Sequence, residues 1–264
     1  MTEQPTRWAW AEVDLGAYAH NLGVMRRIAD GSGVWVVVKA NAYGHGAVPI
    51  AREAVAAGVD GLCVALVSEG VELRRAGIDS PILIFSEQPE AEIDDIVGHG
   101  LTPTVYRTSY IERLADAVRR AASSQLDVHL KIDTGMHRAG ADPAEATRLV
   151  DLIARHDDAL RLAGVYTHFA AADMPAHPAN GAQTSLFNEV ISTLGDRIDG
   201  VALHAVNSAG AMTMPDQRRS FIRPGIATYG IVPGDEVTHL CTDLRPVMSL
   251  HARVSRVQRL AAGE

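Results

Sequence analysis

The chain has 264 residues, of which 47% are apolar and 21% charged, and its formal net charge is −8 at pH 7. This length can bury a large core, while the negative charge argues against a nucleic-acid-binding surface. The chain shows no membrane-spanning stretch and no signal-peptide core in the polar residues 1–7, so we expect a cytoplasmic protein. Cys63 and Cys241 are not part of a CxxC pattern, so we expect neither a disulfide framework nor a metal site.

Apolar strand-like runs alternate with helical patterns along most of the chain. The runs are 34–39, 60–66, 81–85, 101–105, 126–132, 161–167, 201–206 and 219–223, after a short strand-like run at 10–15. Asp142, Pro143 and Glu145 supply an N-cap, a first-turn proline and a capping-box glutamate for a helix that runs to Arg155. Eight strands with intervening helices predict a (β/α)₈ barrel, not an open doubly wound sheet.

The end of the chain has a different pattern. From Pro246 onward, apolar residues alternate with polar ones up to Ser255. This period of two predicts a half-exposed antiparallel strand, and a single strand cannot bury its own face. We therefore expect a barrel domain over residues 1–240 and the start of a second, all-β domain over residues 241–264, with the sequence cut short within it.

The first barrel run ends in Lys39, which is followed by small residues and glycines. In α/β barrels the chemistry takes place at the carboxyl edge of the strands. An amine with a lowered pKa at that edge can form a Schiff base or act as a base. A lysine that only extends out of a strand end into water fits the spacing equally well, so Lys39 alone does not decide between the two.

Other strand ends carry polar groups that would meet Lys39 at the same mouth of the barrel. These are Lys131 followed by Arg138, then His168, Asn207 with Ser208, and Arg223 with Gly225 and Ile226. A phosphate site made of a serine and backbone amides often follows the last two strands of such barrels, and Ser208 with the amides of Gly225 and Ile226 fits it. A lysine, a phosphate cradle and arginines suited to a flat polar ring together predict pyridoxal 5′-phosphate (PLP).

Five sequence blocks, in order, resemble the alanine racemase family of fold-type III PLP enzymes. They are Lys-Ala-Asn-Ala-Tyr-Gly-His-Gly at 39–46, Lys-Ile-Asp-Thr-Gly-Met-His-Arg at 131–138, Thr-His-Phe-Ala at 167–170, Asn-Ser-Ala at 207–209 and Arg-Pro-Gly-Ile-Ala-Thr-Tyr-Gly at 223–230. The resemblance extends from Trp10 to Glu264. It implies a cytoplasmic homodimer that interconverts L- and D-alanine and so supplies D-alanine for peptidoglycan.

The resemblance also implies roles for single residues. Lys39 would hold PLP as a Schiff base and move the proton on the D-face of Cα. Arg223 would face the pyridine nitrogen with His168 behind it, and Arg138 would bind the substrate carboxylate. Lys131 matches a lysine that some members carry as a carbamate. The remaining cofactor-binding residues would be Tyr43, Asn207, Ser208, Gly225 and Ile226, of which all but Asn207 contact the phosphate.

The residue that faces the ring nitrogen bears on the type of reaction. An arginine keeps its proton, so it leaves that nitrogen unprotonated and weakens the ring as an electron sink. This favours return of the proton to Cα, and hence racemisation over transamination. In the family, the second acid/base is a tyrosine of the partner's β-domain. No residue of this sequence matches that tyrosine, so we expect impaired racemisation.

Several alternatives remain open at this stage. A PLP-carrier barrel protein without catalytic activity, a broad-specificity amino-acid racemase, a decarboxylase of the same fold and a non-enzymatic interaction module are the competing interpretations. Taken singly, His168 fits a hydrogen-bonded core histidine better than a functional residue. Arg138 alone fits a surface ion pair as well as it fits a functional role. The other histidines of interest are expected to be structural or exposed: His45, His129, His137 and His204.

Overall fold

The computed structural model describes residues 7–264, so residues 1–6 of the polar N-terminus lie outside the described residues. Ten strands follow one another along the chain. They are β1 (Ala9–Val13), β2 (Gly33–Val37), β3 (Gly61–Val64), β4 (Ile82–Ile84), β5 (Thr102–Val105), β6 (Leu126–Lys131), β7 (Leu160–Tyr166), β8 (Ala202–His204), β9 (Phe221–Ile222) and β10 (Met248–Ala252).

Helices separate most of these strands. They are α1 (Leu15–Ala29), α2 (Lys39–Tyr43), α3 (Ala47–Ala56), α4 (Val67–Arg75), α5 (Ile93–Gly98), α6 (Thr108–Ala121), α7 (Ala146–Arg155), α8 (Pro178–Leu194) and α9 (Ser208–Thr213), of which α2 is a single turn with left-handed backbone at residues 40–43. Short 3₁₀ turns join the remaining segments. Among residues 7–264, no helix is both long enough and apolar enough to cross a bilayer.

Strands β2 to β9 form one parallel sheet that is nearly closed into a barrel. Its order is β8-β7-β6-β5-β4-β3-β2-β9. Hydrogen bonds at the ends of its two edge strands, β8 and β9, bring them together, from Ser220 N to Leu203 O at 2.9 Å and from Arg223 N to Val206 O at 3.0 Å. The predicted (β/α)₈ barrel is confirmed.

The burial pattern explains why these segments become barrel strands. All residues of β3, β4 and β5 are buried, as expected for strands covered by helices on one side and by the barrel interior on the other. On α6 the buried side chains recur at helical spacing, from Tyr110 through Leu114 to Val118. Each fully buried aliphatic side chain stabilises the fold by about 1.5–3 kcal/mol.

The strand predicted near the C-terminus is present as β10, and its partner is the first strand of the chain. β1 and β10 pair antiparallel, with Val13 opposite Met248. The ribbon remains open to solvent on much of its surface, and Leu250 is 82% exposed. The division of the chain at residue 240 stays a prediction.

Two local predictions were wrong. The first barrel strand ends at Val37, not at Lys39, because residues 40–43 turn into left-handed backbone. Asp142 accepts the amide of Ala144 as predicted, but Glu145 forms an ion pair with Arg148 instead of returning to the cap. The helix therefore begins as a 3₁₀ turn over Pro143–Glu145 before α7 starts.

Candidate active site

A cavity of about 670 Å³ opens at the carboxyl edge of the barrel. All of the predicted site residues line it, although they come from five different strand ends and the loops that follow them. They are Lys39, Tyr43, Lys131, Arg138, His168, Asn207, Ser208, Arg223, Gly225 and Ile226. The structure thus brings together every residue that the strand-end pattern singled out.

Lys39 stands at the start of an unusual turn. The four residues after it, Ala40 to Tyr43, all have left-handed backbone with φ of 52° or 53°. A left-handed conformation costs a non-glycine residue about 1–2 kcal/mol, and such strain tends to cluster at functional sites. The turn leads the chain away from β2, so the half-buried lysine side chain faces the cavity.

Side-chain oxygens accept backbone amides on both sides of this turn. Glu69 on α4 accepts the amide of Ala40 at 2.5 Å. Asn41 accepts the amide of Ala47 at 2.7 Å, at the start of α3. The turn is therefore tied to the two helices that follow it.

Next to this turn, the wall of the cavity contains a cradle of small groups. Asn207 caps α9 by accepting the amide of Gly210 at 3.0 Å. Ser208 Oγ accepts the amides of Gly225 at 2.9 Å and Ala227 at 3.3 Å. A Cβ on Gly225 would lie 2.6 Å from the hydroxyl of Tyr43. Only a glycine therefore lets Tyr43 approach this backbone.

Arg223 is held firmly inside the barrel. It is 2% exposed, and its Nη2 donates to the carbonyls of Thr167 at 2.9 Å and Ala205 at 3.0 Å. Among residues 7–264 no carboxylate lies within ion-pair distance of it. Burial lowers the pKa of the guanidinium, and nearby Tyr166 and Cys63 counteract this. The cation therefore lines the cavity without a charged partner.

A hydrogen-bonded chain of two histidines leads from Arg223 into the barrel interior. Arg223 Nη1 donates to His204 Nδ1 at 2.6 Å, and His204 Nε2 lies 3.0 Å from His129 Nδ1. Because arginine has no acceptor, His204 must carry its proton on Nε2 and donate it to His129. Burial lowers the pKa of His129 to about 4, and burial together with Arg223 lowers that of His204 well below its usual value. Both rings are neutral at pH 7.

His204 was predicted to be structural or exposed, yet His204 lies nearer to Arg223 than does His168, the predicted neighbour. His168 Nδ1 lies 3.5 Å from Arg223 Nη2, at the limit of a hydrogen bond. The signal was present, because His204 comes directly before the small residues that end the seventh barrel strand. A buried histidine looks the same in sequence whether it only packs or also supports a charged group.

A second group of cations lies beside Arg223. Lys131 is 5% exposed, and burial together with the charges of Arg223 and Arg138 lowers its pKa to about 8. Asp133 Oδ1 accepts the amides of residues 135, 136 and 137 at 2.9–3.0 Å. These bonds shape the loop that brings Arg138 to the cavity. The walls are therefore rich in positive charge.

Further lining residues escaped the sequence analysis. They include Phe85, Ser86, Glu87, Tyr106 and Asp173. Glu87 accepts the amides of Tyr106 and Arg107, each at 2.7 Å, while burial raises its pKa. Ser86, Glu87 and Tyr106 directly follow the strand runs 81–85 and 101–105, so the strand-end rule that identified the others would have found these three.

Comparison with known proteins gives a consistent picture. The family described as alanine racemase, N-terminal domain, matches residues 13–233. The alanine racemase of Carboxydothermus hydrogenoformans is 38% identical over 258 residues, which cover 97% of this chain and 69% of that protein. The chain belongs to the alanine racemase family.

Solved structures of the family share the fold closely. The alanine racemase of Clostridium difficile 630 in complex with cycloserine superposes with a TM-score of 0.90 at 32% identity, over 97% of this chain and 71% of that one. The alanine racemase from Bacillus anthracis with bound L-Ala-P gives a TM-score of 0.87 at 32% identity, over 99% of this chain and 68% of that one.

The alanine racemase family uses PLP, and the cavity offers what that cofactor requires. Lys39 supplies an amine, and Ser208, Gly225 and the hydroxyl of Tyr43 lie close together as small polar groups of the kind that bind a phosphate. Arg223 is a buried cation without a carboxylate partner among the described residues, so it is free to face a ligand. The residues present therefore fit PLP.

Proposed function

We propose that the chain carries the PLP site of an alanine racemase that interconverts L- and D-alanine. One observation supports this most strongly: a buried arginine without an acidic partner, Arg223, faces the same cavity as Lys39. The relatives solved with cycloserine and with L-Ala-P support a small amino-acid-like ligand for this site.

Each side of the cavity has its own part in holding the cofactor. Lys39 is the attachment point. The phosphate group is held by Tyr43, Ser208 and the amides of Gly225 and Ile226, with Asn207 and His168 completing the cofactor site. When bound, PLP withdraws electrons from the Cα of an amino acid joined to it and so acidifies the Cα proton.

Lys39 then acts as the base that removes and returns the proton on one face of Cα. Its side chain suits this role because it is half-buried and, among residues 7–264, takes part in no hydrogen bond, which leaves the amine free to move. Arg138 orients the substrate by binding its carboxylate through the guanidinium fork. We assign no residue of this sequence to the opposite face.

Arg223 favours racemisation over other outcomes of the same chemistry. Its guanidinium stays protonated, and it is fixed by two carbonyls and by the Nδ1 of His204. A ring nitrogen that faces such a donor stays unprotonated, so it withdraws electrons less strongly. The proton then returns to Cα, which gives racemisation, and transamination is disfavoured.

Lys131 is the candidate for carbamylation. A pKa of about 8 leaves part of this amine neutral at pH 7–8, and only a neutral amine reacts with carbon dioxide. The product would be an anion between cationic neighbours, where it would pair with Arg138. This would replace a repulsion inside the cavity with an ion pair.

The proposal is tested by α-proton exchange in deuterated water, followed by NMR with PLP present. We expect the 264-residue polypeptide to exchange the proton of D-alanine faster than that of L-alanine, to racemise slowly, and to lose exchange in Lys39→Ala. Equal exchange of both enantiomers, or exchange that survives in Lys39→Ala, would contradict the assignment of Lys39. The wider role, D-alanine supply for peptidoglycan by a cytoplasmic homodimer, belongs to the same proposal and rests on the family.

A further inference from the structure

Glu69 connects the lysine-bearing turn to the neighbouring helix. Its Oε1 accepts the amide of Ala40, the residue directly after Lys39, at 2.5 Å. Its Oε2 accepts the amides of Ala65 at 2.7 Å and Leu66 at 3.1 Å. One carboxylate therefore binds the loop that follows β2 and the loop that follows β3.

The position of Glu69 suits this task. It is the third residue of α4, where the partial positive charge of the helix N-terminus stabilises a carboxylate. Among residues 7–264 no basic side chain lies within ion-pair distance of it, so its charge is directed at the three amides. Hydrogen bonds to a charged acceptor are stronger than those between neutral groups.

The contact with Ala40 falls where the backbone is strained. Ala40 is the first of four non-glycine residues in left-handed conformation, and without restraint such residues relax toward more favourable backbone angles. A relaxation at Ala40 would turn the preceding residue, Lys39, away from its direction in the cavity. The turn therefore needs a restraint at this amide.

We infer that Glu69 is a positioning residue that holds the left-handed turn and thereby aims Lys39 into the cavity. The inference rests on the proposed function only for what Lys39 binds, since the restraint itself belongs to the ligand-free chain. Glu72 provides a matched control, because it lies on the same helix, is exposed and makes no side-chain hydrogen bond among the described residues.

The first measurement is hydrogen exchange of residues 39–46 without PLP, in Glu69→Gln and Glu72→Gln. Glutamine has one acceptor oxygen and cannot serve amides on both sides, so we expect about tenfold faster exchange in Glu69→Gln. Glu72→Gln should exchange like the unchanged chain. If only the amides at the start of α4 exchange faster in Glu69→Gln, Glu69 is merely a helix cap and the inference is wrong.

The second measurement is the rate at which Lys39 captures PLP, trapped with borohydride and quantified by peptide mass spectrometry. We expect about tenfold slower capture in Glu69→Gln, with partial recovery in the double variant Glu69→Gln/Ala40→Gly. Glycine adopts left-handed backbone without strain, so it reduces the need for a restraint. Unchanged capture in Glu69→Gln, or no recovery by glycine, would overturn the inference.

The two measurements separate this inference from the proposed function. Capture of no PLP by the unchanged chain would refute the proposed function, and the exchange of residues 39–46 would still decide the role of Glu69. Normal capture by the unchanged chain together with equal exchange in both variants would refute the inference alone.

Discussion

Lys39 and Arg223 face one cavity from the neighbouring strands β2 and β9, but the protein fixes them in different ways. On the β2 side the backbone is held: four residues are left-handed, Glu69 accepts the amide of Ala40, and Asn41 within the turn accepts the amide of Ala47. On the β9 side the side chain is held, since the Arg223 guanidinium donates to two carbonyls and to His204.

The difference follows from what each group has to do. A base that accepts and returns a proton needs a mobile amine on a fixed backbone. A cation that sets the electronic character of a ring must keep one place, which requires a fixed side chain. The strain is therefore concentrated at β2, and the buried polar network lies behind β9.

The largest effect on stability is expected from the fixed side chain. Arg223→Met leaves the carbonyls of Thr167 and Ala205 and the Nδ1 of His204 without a donor, which should lower the free energy of unfolding by about 4 kcal/mol. Urea denaturation without PLP measures this. Arg75→Met, on the exposed face of α4, should change stability by less than about 0.5 kcal/mol. Equal effects of the two variants would show that the network behind β9 is not stabilising.

The histidines behind Arg223 should make stability depend on pH. The folded chain resists protonation of His129 until about pH 4, whereas the unfolded chain takes up that proton near pH 6.5. Stability is therefore complete above pH 6.5 and falls as the pH drops toward 4, by roughly 3 kcal/mol for His129 alone. Protonation of His204 acts in the same direction.

Urea denaturation across pH 4–7 measures this dependence. His129→Leu should flatten the profile relative to that of the unchanged chain. A profile that is equally steep in His129→Leu would assign the pH dependence to other groups.

A smaller effect is expected where the two sides of the cavity meet. In Gly225→Ala the new methyl group would overlap the hydroxyl of Tyr43, so one of them must move. We expect PLP affinity to fall by about 1–3 kcal/mol, measured by absorbance titration. Gly181→Ala on α8, where a Cβ meets nothing within 4 Å, is the control. Unchanged PLP affinity in Gly225→Ala would mean that this approach has no part in binding.

The smallest effect on stability is expected at the mobile amine. Lys39→Met should change the free energy of unfolding by less than about 0.5 kcal/mol, because among the described residues the amine has no hydrogen-bond partner to lose. Urea denaturation of Lys39→Met and Arg223→Met under the same conditions compares their free energies of unfolding directly. A loss as large as that of Arg223→Met would remove the distinction between the two sides.

Much of the architecture could be predicted from the sequence. Alternating strand and helix patterns predicted the barrel, and the period of two after Pro246 predicted β10. Its pairing with β1 could not be read from the pattern, because that pairing depends on which ends the closed barrel brings together. The strand-end rule identified all of the predicted lining residues except Tyr43, which came from the family resemblance, because parallel strands present their carboxyl ends at one edge.

The turn after Lys39 was beyond sequence reasoning. Its residues, Ala40 to Tyr43, include no glycine, so nothing local signals left-handed backbone. The restraint comes from Glu69, which lies 29 residues from Ala40 along the chain and resembles any first-turn helix glutamate. His204 escaped for a similar reason, since its role depends on a buried neighbour.

The central claim is that Lys39 is the residue that binds PLP. The most direct test is to incubate the chain with PLP, reduce with borohydride and locate the modified lysine by peptide mass spectrometry. The informative competitor is Lys131, which lines the same cavity with a pKa of about 8. We predict modification at Lys39, retained in Lys131→Ala and lost in Lys39→Ala. The sequence contains no other lysine, so modification at Lys131, or equal modification of Lys39 and Lys131, would contradict the account.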